Sequence, residues 1–369
     1  MDLLERLVGE ASGFSSPLSV VICGACLILG TCFLPVLRIR GNQHAIGPKC
    51  RPDKPIDAPL AQALIISLRV YPIKSCAGHE VQQATLGDRG LDMDRLWMVI
   101  DGVGRFMSQR RLAKMALVSP SLPRTKDEPL VLSAPGMASL EVPVMRKVGP
   151  GGPSAGGEIF QVEVWDSTCK AIDQGNAAAE WLGEFLGRDD LRLVRMQDGF
   201  VRPTDPGYGT GFRASFADGF PMLLAAEESL EELNSRMAAA GSEAVGMERF
   251  RPNIVVRGWG PFAEDNWTKI RVGGINMRTP KPCSRCKIPG INQSTLEVLQ
   301  EPRTTLNTFR QVCLPVLVAG CHVTPWKQKW AKDVFFGVNM LHESTGVLRV
   351  GDEVDVLRVV SEASAKKTQ

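Results

Sequence analysis

The chain has 369 residues, of which 44% are hydrophobic and 22% charged, with a formal net charge of +3 at pH 7. These fractions are typical of a globular protein with one large or two modest domains, and the near-neutral charge gives no reason to expect a nucleic-acid partner. The 10 cysteines are scattered and do not frame a compact disulfide scaffold, so we expect free thiols in a reducing compartment.

The N-terminal region contains an uncharged stretch over residues 17–37. Its length of about 20 residues is enough to cross a hydrocarbon core as a helix. The preceding segment 1–16 is mostly acidic, whereas Arg38, Arg40 and Lys49 follow the stretch, which places the C-terminal side in the cytosol. We expect an uncleaved membrane anchor, with a cleaved signal peptide as the alternative. Such an anchor fits the mitochondrial outer membrane and the endoplasmic reticulum, and the residues of the stretch do not distinguish between them.

Short strands and a few helices are predicted along the rest of the chain. Residues 38–63 are rich in Pro, Gly and charge and lack periodicity, which predicts a tether. Helical spacing of apolar residues predicts helices over 176–187 and 227–240. Strands are predicted over 65–71, 96–100, 130–133, 140–142, 161–165, 253–256, 268–272, 347–350 and 354–359. Many short strands with few helices predict a mainly β fold with α+β elements, and a barrel-like architecture.

A pair of cysteines is the most informative motif of the sequence. Cys283 and Cys286 enclose Ser284 and Arg285. A thiolate is a soft, strong ligand for a transition metal, and an adjacent arginine lowers a thiol pKa and binds phosphate. The motif therefore indicates a site for a phosphate-bearing metal cofactor. Three alternatives fit the residues alone: a closed zinc site, a thioredoxin-like dithiol, and two buried structural cysteines.

Four cations stand at predicted strand edges or loops. They are Lys74, Arg95, Arg251 and Arg285. Each one alone is typical of a solvated surface charge. Together with the thiol of Cys286 they would form an anion pocket.

Six segments follow one another in an informative order. They are Tyr71-Pro72-Ile73-Lys74-Ser75-Cys76, Asp94-Arg95-Leu96-Trp97, Phe250-Arg251-Pro252-Asn253-Ile254-Val255, Ala263-Glu264-Asp265-Asn266-Trp267, Cys283-Ser284-Arg285-Cys286 and Phe336-Gly337-Val338-Asn339. With these segments the chain resembles the MOSC-domain proteins from about residue 64 to residue 358, and most closely their amidoxime-reducing components, which are molybdenum enzymes. The Arg-Pro-Asn and Cys-Ser-Arg-Cys segments together are quite specific, whereas any one segment alone would be weak.

The resemblance implies a fold and a set of site residues. An N-terminal MOSC-type β-rich domain would occupy 64–195, a MOSC β-barrel 196–360 and a tail 361–369, with a pterin–molybdenum cofactor between the two domains. In the family the second cysteine of the pair ligates molybdenum, which assigns metal ligation and catalysis to Cys286. Asp265 would lie near the site as a second catalytic candidate, although a loop or helix-capping role fits it as well. The implied cofactor-binding residues are Lys74, Ser75, Arg95, Arg251, Asn253, Ser284 and Arg285.

The resemblance also implies a function. It is that of a membrane-anchored reductase of small N-hydroxylated compounds of the amidoxime type. The sequence contains no flavin, haem or iron–sulfur motif, and the family takes its electrons from cytochrome b5 and NADH-cytochrome b5 reductase. The alternative is a molybdenum-cofactor carrier or sulfur-transfer module, like the C-terminal part of the molybdenum cofactor sulfurases. A scaffold that has lost its metal is a third possibility.

Three features need separate expectations. Asn339 stands where the family often has a tyrosine, which puts that cofactor contact in question. Residues 312–326 form an apolar, cysteine-rich insert without a counterpart in the family, which is either an extra buried strand or, as we favour, translated intron sequence. Residues 205–211 are rich in Pro and Gly and predict a flexible loop that shapes substrate access, or a plain surface turn.

Overall fold

The computed structural model describes residues 45–46, 49–51, 53–56, 63–125, 127–144, 157–311 and 333–361. The predicted anchor over 17–37 and the insert over 312–326 lie outside these residues. No helix within the described ranges is long and apolar enough to cross a membrane.

The strands and helices of the described residues are short. The strands are β1 (Ala45–Ile46), β2 (Asp53–Pro55), β3 (Ala63–Val70), β4 (His79–Val81), β5 (Gln83–Gly87), β6 (Gly90–Leu91), β7 (Trp97–Ile100), β8 (Ser119–Pro120), β9 (Leu130–Ser133), β10 (Leu140–Val142), β11 (Ile159–Val164), β12 (Ser167–Asp173), β13 (Arg192–Met196), β14 (Gly209–Thr210), β15 (Met222–Ala226), β16 (Ile254–Arg257), β17 (Trp267–Val272), β18 (Ile275–Ser284), β19 (Phe335–His342), β20 (Gly346–Arg349) and β21 (Glu353–Val360). The helices are α1 (Asn176–Leu186), α2 (Glu227–Ala239) and α3 (Arg303–Phe309), with 3-10 turns at Ala113–Leu117, Met247–Arg249, Ala263–Asn266 and Ile288–Gly290.

A closed barrel of 7 strands forms the larger part of the fold. Its order is β21-β17-β18-β19-β15-β16-β3, and β21 pairs back onto β3. Strands β15 and β16 are parallel, as expected for two strands joined through helix α2, and the other neighbours are antiparallel. Alternate side chains point inward, so that Leu68, Ile254, Ile270, Met277 and Met340 are fully buried in one core. The barrel confirms the prediction of a mainly β fold.

A smaller β-rich part lies between the barrel strands β3 and β15 in the chain. It contains the antiparallel sheet β11-β12-β13-β7 and the sheet β10-β9-β8. Helix α1 confirms the predicted helix over 176–187, and its buried face contributes Leu182 and Phe185 to a core with Trp97 and Leu193. Because β7 begins directly after the Asp94-Arg95 segment, this sheet fixes the position of that segment.

Part of the predicted tether over 38–63 is ordered. Strand β1 pairs with β14, and β2 pairs with β21. Between them, Arg51 donates to the backbone carbonyls of Asp265, Trp267 (2.7 Å) and Thr279 (3.2 Å). This segment differs from the prediction because one partly buried guanidinium satisfies three carbonyls of the barrel wall, which no local pattern of the sequence reveals.

Candidate cofactor site

Eight of the nine predicted site residues line one cavity of about 460 Å³. The cavity lies where the loops after β3 and β18 and the segment before β16 meet. The predicted residues in its lining are Lys74, Ser75, Arg95, Arg251, Asn253, Ser284, Arg285 and Cys286. The fold therefore brings together residues that are up to 212 positions apart, from 74 to 286.

The backbone around this cavity is strained. Ser75 (φ 68°), Arg95 (φ 47°), Arg251 (φ 57°) and Trp165 (φ 53°) all adopt the left-handed conformation and all line the cavity. Such a conformation costs a non-glycine residue about 1–2 kcal/mol and persists only where the surrounding structure holds it. Strain of this kind collects at functional sites, so the backbone itself marks this cavity as one.

Asp94 organises the polar wall of the cavity. Its side chain is 2% exposed, and Oδ1 accepts hydrogen bonds from the Tyr71 backbone N–H (2.9 Å) and from Asn253 Nδ2 (3.0 Å). Both carboxylate oxygens also accept from Arg95 Nη1 at 2.7 Å. Asn253 Oδ1 in turn accepts from Arg95 Nη1 at 3.1 Å. One buried carboxylate thus fixes two of the predicted cofactor-binding side chains.

Arg251 is a buried cation with an unused donor. Its Nη1 donates to the carbonyl of Cys76 at 2.7 Å, while its Nη2 is buried without a hydrogen-bond partner in the described part of the chain. Burial, together with the charge of Arg95, lowers the pKa of Arg251 to about 10, so the group stays protonated at neutral pH. Arg251 also lines the cavity, and a positive charge in a cavity wall favours a bound anion.

Lys74 is a cation whose charge is already balanced. Its ammonium donates to the Phe216 carbonyl (2.9 Å) and to the Asp218 carboxylate (2.5 Å). Burial lowers the pKa of Lys74, and the neighbouring Asp218 opposes that shift. Trp165 Nε1 donates to the same carboxylate at 3.0 Å. Lys74 therefore holds Asp218 and, through it, the indole that stands at the edge of the cavity.

The cysteine motif begins inside strand β18, whose last two residues are Cys283 and Ser284. The Arg285 backbone N–H donates to the Val334 carbonyl (2.8 Å), and its side chain donates to the Phe250 carbonyl (2.7 Å) and to Cys283 Sγ (3.2 Å). Cys286 is exposed to the cavity, and its sulfur has no hydrogen-bond partner among the described residues. The two thiols therefore differ, because the first is engaged by the arginine and the second is open.

The closed zinc site considered from the sequence would need several converging ligands. Within the described ranges, no group of three or more His, Cys, Asp or Glu side chains could hold a metal ion. Two thiols, Cys283 and Cys286, therefore share the cavity lining, and only Cys283 is engaged by Arg285.

Asp265, the ninth predicted site residue, does not line the cavity. It lies on the 3-10 turn Ala263–Asn266, and its carboxylate accepts from Arg310 Nη2 at 2.5 Å. Both side chains are largely buried, with 22% and 13% exposed. The geometry favours a structural role for this carboxylate, because it is paired with Arg310 and lies outside the cavity lining.

Asn339 faces the cavity from strand β19. Its Nδ2 donates to the Pro282 carbonyl at 3.3 Å, across the β18–β19 pair. Two positions earlier, Gly337 has φ 72°, and a Cβ there would lie 2.6 Å from the Leu224 carbonyl oxygen. The Phe-Gly-Val-Asn segment is therefore explained by a close strand approach and by a cross-strand hydrogen bond.

Several lining residues were not singled out from the sequence. Phe106, Arg110, Trp165 and Asp218 all line the cavity. The one signal available in the sequence was a tryptophan followed directly by the turn-forming residues Asp-Ser. In the structure Trp165 is 46% exposed.

The Pro/Gly-rich segment 205–211 lies behind the cavity wall. Tyr208 is 5% exposed, and its ring centroid lies 5.5 Å from that of Phe220, which lines the cavity. The segment therefore supports the wall of the site, which differs from the expectation of a plain surface turn.

Comparison with known proteins identifies the family of the chain. The MOSC N-terminal beta barrel domain matches residues 62–189, and the MOSC domain matches residues 212–355. The chain is 31% identical over 303 residues to mitochondrial amidoxime-reducing component 1 of Mus musculus, covering 79% of this chain and 82% of the relative. It is 30% identical over 299 residues to mitochondrial amidoxime reducing component 2 of Bos taurus, with the same coverage. Identity to the molybdenum cofactor sulfurase of Danio rerio is 30% over 294 residues, covering 71% of this chain and 34% of that relative.

Proposed function

Because this chain belongs to the MOSC-domain family, whose members include the mitochondrial amidoxime-reducing components, we propose that it binds a pterin–molybdenum cofactor and reduces N-hydroxylated compounds. One observation carries the proposal: a single open thiol, Cys286, shares one cavity with a large excess of cations. The cationic lining residues are Lys74, Arg95, Arg110, Arg251, Lys281 and Arg285, whereas the acidic ones are Asp218 and Asp333. A soft ligand beside an anion-binding wall suits a metal that is carried by a phosphorylated organic group.

The residues present fit such a cofactor. Arg251 Nη2 and Arg285 Nε are buried donors without partners in the described part of the chain. Each unsatisfied buried donor costs about 1–3 kcal/mol, so a ligand that offers acceptor oxygens would be stabilised here. Arg251, Arg285 and the nearby hydroxyls of Ser75 and Ser284 would hold the phosphate and pterin. Cys286 would supply the protein ligand to molybdenum.

The remaining predicted residues act by positioning. Arg95 uses its guanidinium on Asp94, Asn253 and the Arg251 carbonyl, so that it orients Arg251 and has little capacity left for a ligand. Asn253 is 1% exposed and ties this wall to the barrel through the Leu223 N–H at 3.3 Å. The rigid wall keeps water out of the base of the site and keeps the cations directed at the ligand.

When bound, the cofactor supplies the redox chemistry in which an N–OH group, two electrons and two protons give N–H and water. We further propose that the electrons come from cytochrome b5 and NADH-cytochrome b5 reductase. The segment 17–37 would anchor the chain to the mitochondrial outer membrane with the cavity on the cytosolic side. The mitochondrial relatives and the uncharged run of residues support the location, whereas the electron donors are proposed from the family resemblance alone.

A second candidate function has its own support. The similarity to molybdenum cofactor sulfurase favours a carrier or sulfur-transfer module without reductase activity. Such a module would use the same cavity and the same thiol. The two candidates differ in turnover and not in cofactor binding.

The test is an elemental analysis combined with an activity assay. The full chain is purified from a host that makes the pterin cofactor, and molybdenum and pterin are measured per chain. NADH-dependent reduction of benzamidoxime is then followed with cytochrome b5 and its reductase. The proposal expects about one molybdenum per chain and reduction in the wild type, and loss of both in Cys286→Ala.

Two cysteine variants serve as controls. Cys50→Ala removes a thiol that donates to the Tyr208 carbonyl (2.9 Å), outside the cavity lining, and should keep metal and activity. Cys283→Ala should keep most of its molybdenum, because that thiol is engaged by Arg285. Cofactor without reduction would favour the carrier. A folded protein that contains neither molybdenum nor pterin would overturn both candidates.

A further inference from the structure

A second recess of about 420 Å³ adjoins the cofactor cavity. The two share four lining residues, namely Phe106, Ser108, Arg110 and Trp165. The recess adds Arg105, Arg111 and Glu163 to its own lining. A ligand could therefore occupy both spaces at once, with one end in the cavity and the other in the recess.

The recess is basic, and one of its cations is available. Arg105 lies 3.5 Å from Glu163, and Arg111 lies 3.2 Å from Asp101. Arg110 forms no ion pair with any described residue; its Nε approaches Ser108 Oγ at 3.5 Å, at the limit of a hydrogen bond. Its two terminal nitrogens can therefore pair with an incoming oxyanion, since a guanidinium presents them as a planar fork.

Trp165 forms the wall between the two spaces. The Arg110 guanidinium lies 4.7 Å from the indole centroid, and the Phe106 ring lies 5.1 Å from it. The indole is held by its hydrogen bond to Asp218, and its backbone is strained in the turn between β11 and β12. These contacts hold the strained backbone of Trp165 in place. The indole ring is nevertheless 46% exposed, so it can pack against a ligand.

We propose that the recess binds the distal, anionic end of a planar N-hydroxylated substrate whose N–OH end enters the cofactor cavity. Arg110 pairs with a carboxylate on the substrate, and Trp165 and Phe106 pack against its plane. This inference rests on the proposed function and adds to it a substrate class: planar N-hydroxylated compounds that carry an oxyanion. The reduction is the same as above, so no further reactant is required.

The test compares two substrates that differ by one carboxylate. kcat/KM is measured with the full-length holoenzyme for benzamidoxime and for 4-carboxybenzamidoxime at low ionic strength. The wild type should prefer the carboxylated compound by about tenfold, mainly through KM, because a charge-assisted hydrogen bond of this kind is of that order. Arg110→Met should bring the ratio of the two kcat/KM values close to one. Arg188→Met, which removes a surface arginine paired with Asp190 (2.6 Å), should leave the ratio as in the wild type.

Binding of the reaction product gives a readout without turnover. Calorimetry with 4-carboxybenzamidine should show about tenfold weaker binding to Arg110→Met than to the wild type, at equal molybdenum content. A wild-type ratio near one, or an unchanged ratio in Arg110→Met, would overturn the inference while leaving the proposed function intact. Loss of molybdenum in Arg110→Met would assign this arginine to cofactor binding and would also overturn the inference. If the molybdenum-loaded wild type reduces neither compound, the proposed function itself fails.

Discussion

Arg95 donates a hydrogen bond from its side chain to the backbone carbonyl of Arg251 at 3.1 Å. The contact brings two guanidinium groups to one ring, since their centres lie 4.2 and 4.3 Å from the centroid of Tyr71. Arg95 is fully engaged by protein acceptors, whereas Arg251 retains a buried donor without a partner in the described structure. The two arginines therefore have different functions. Arg95 positions Arg251, and Arg251 is available to bind an anion.

Arg251→Met should separate cofactor retention from folding. Removal of one charge-assisted hydrogen bond costs about 1.5–3 kcal/mol, which corresponds to roughly ten- to a hundredfold in affinity. Molybdenum per chain should therefore fall by at least about tenfold, while the denaturation midpoint of the cofactor-free protein changes little, because repulsion from Arg95 is relieved. Arg213→Met is the matched control, since that arginine pairs with Asp88 at the surface (3.2 Å). Full molybdenum content in Arg251→Met would contradict the assignment.

Asp94→Ala should reduce stability strongly. The substitution leaves the Arg95 guanidinium, 12% exposed, without its carboxylate, and also removes the acceptor of the Tyr71 N–H. Loss of one partner from a buried ion pair costs about 3–5 kcal/mol. Urea denaturation measures the effect. Asp190→Ala, which breaks an exposed pair with Arg188, should cost only about 0–1 kcal/mol; equal losses in the two variants would contradict the role of Asp94.

Asp265→Asn distinguishes a structural from a catalytic carboxylate. The ion pair with Arg310 predicts a loss of about 1–3 kcal/mol of unfolding free energy, since a largely buried charge loses its partner. Molybdenum content and benzamidoxime reduction should stay near wild type below the unfolding temperature. Arg310→Met alone should lose a similar unfolding free energy. The double variant should lose less than the sum of the two single losses, because both substitutions remove the same ion pair. Loss of activity with unchanged stability would restore Asp265 to the catalytic site.

Glu264 should make stability depend on pH. The carboxyl is 0% exposed and accepts from Ser229 Oγ (2.9 Å), and burial together with the charge of Asp265 raises its pKa from 4.5 to about 7. The folded state therefore binds the proton more tightly than the unfolded state, so this contribution is present at low pH and is lost as the pH rises to 7. The loss is on the order of 3 kcal/mol.

Glu264→Gln tests this dependence. The variant should lose the slope of unfolding free energy between pH 5 and pH 7, and it should be more stable than the wild type at pH 8. Glu232→Gln is the control, because that carboxylate is paired with Arg236 on the surface of α2. An unchanged slope in Glu264→Gln would show that Glu264 is ionised in the folded protein across this range.

The sequence determined the parts of this protein that depend on neighbours along the chain. The helix over 176–187 was predictable because the apolar spacing is local. The chemistry of the Cys-Ser-Arg-Cys motif was also readable, since a thiol and a guanidinium keep their ligand preferences in any fold.

Only the tertiary structure decided which polar groups are already satisfied. Asp265 was indistinguishable from a catalytic acid until Arg310, 45 positions away, was seen to neutralise it. The recess at Trp165 required Asp218, 53 positions away, and the ordered segment at Arg51 required carbonyls more than 200 positions away. A carboxylate, an indole or a guanidinium has the same chemistry in each sequence context. Its function depends on whether burial and partners leave it free, and these are properties of residues distant in the chain.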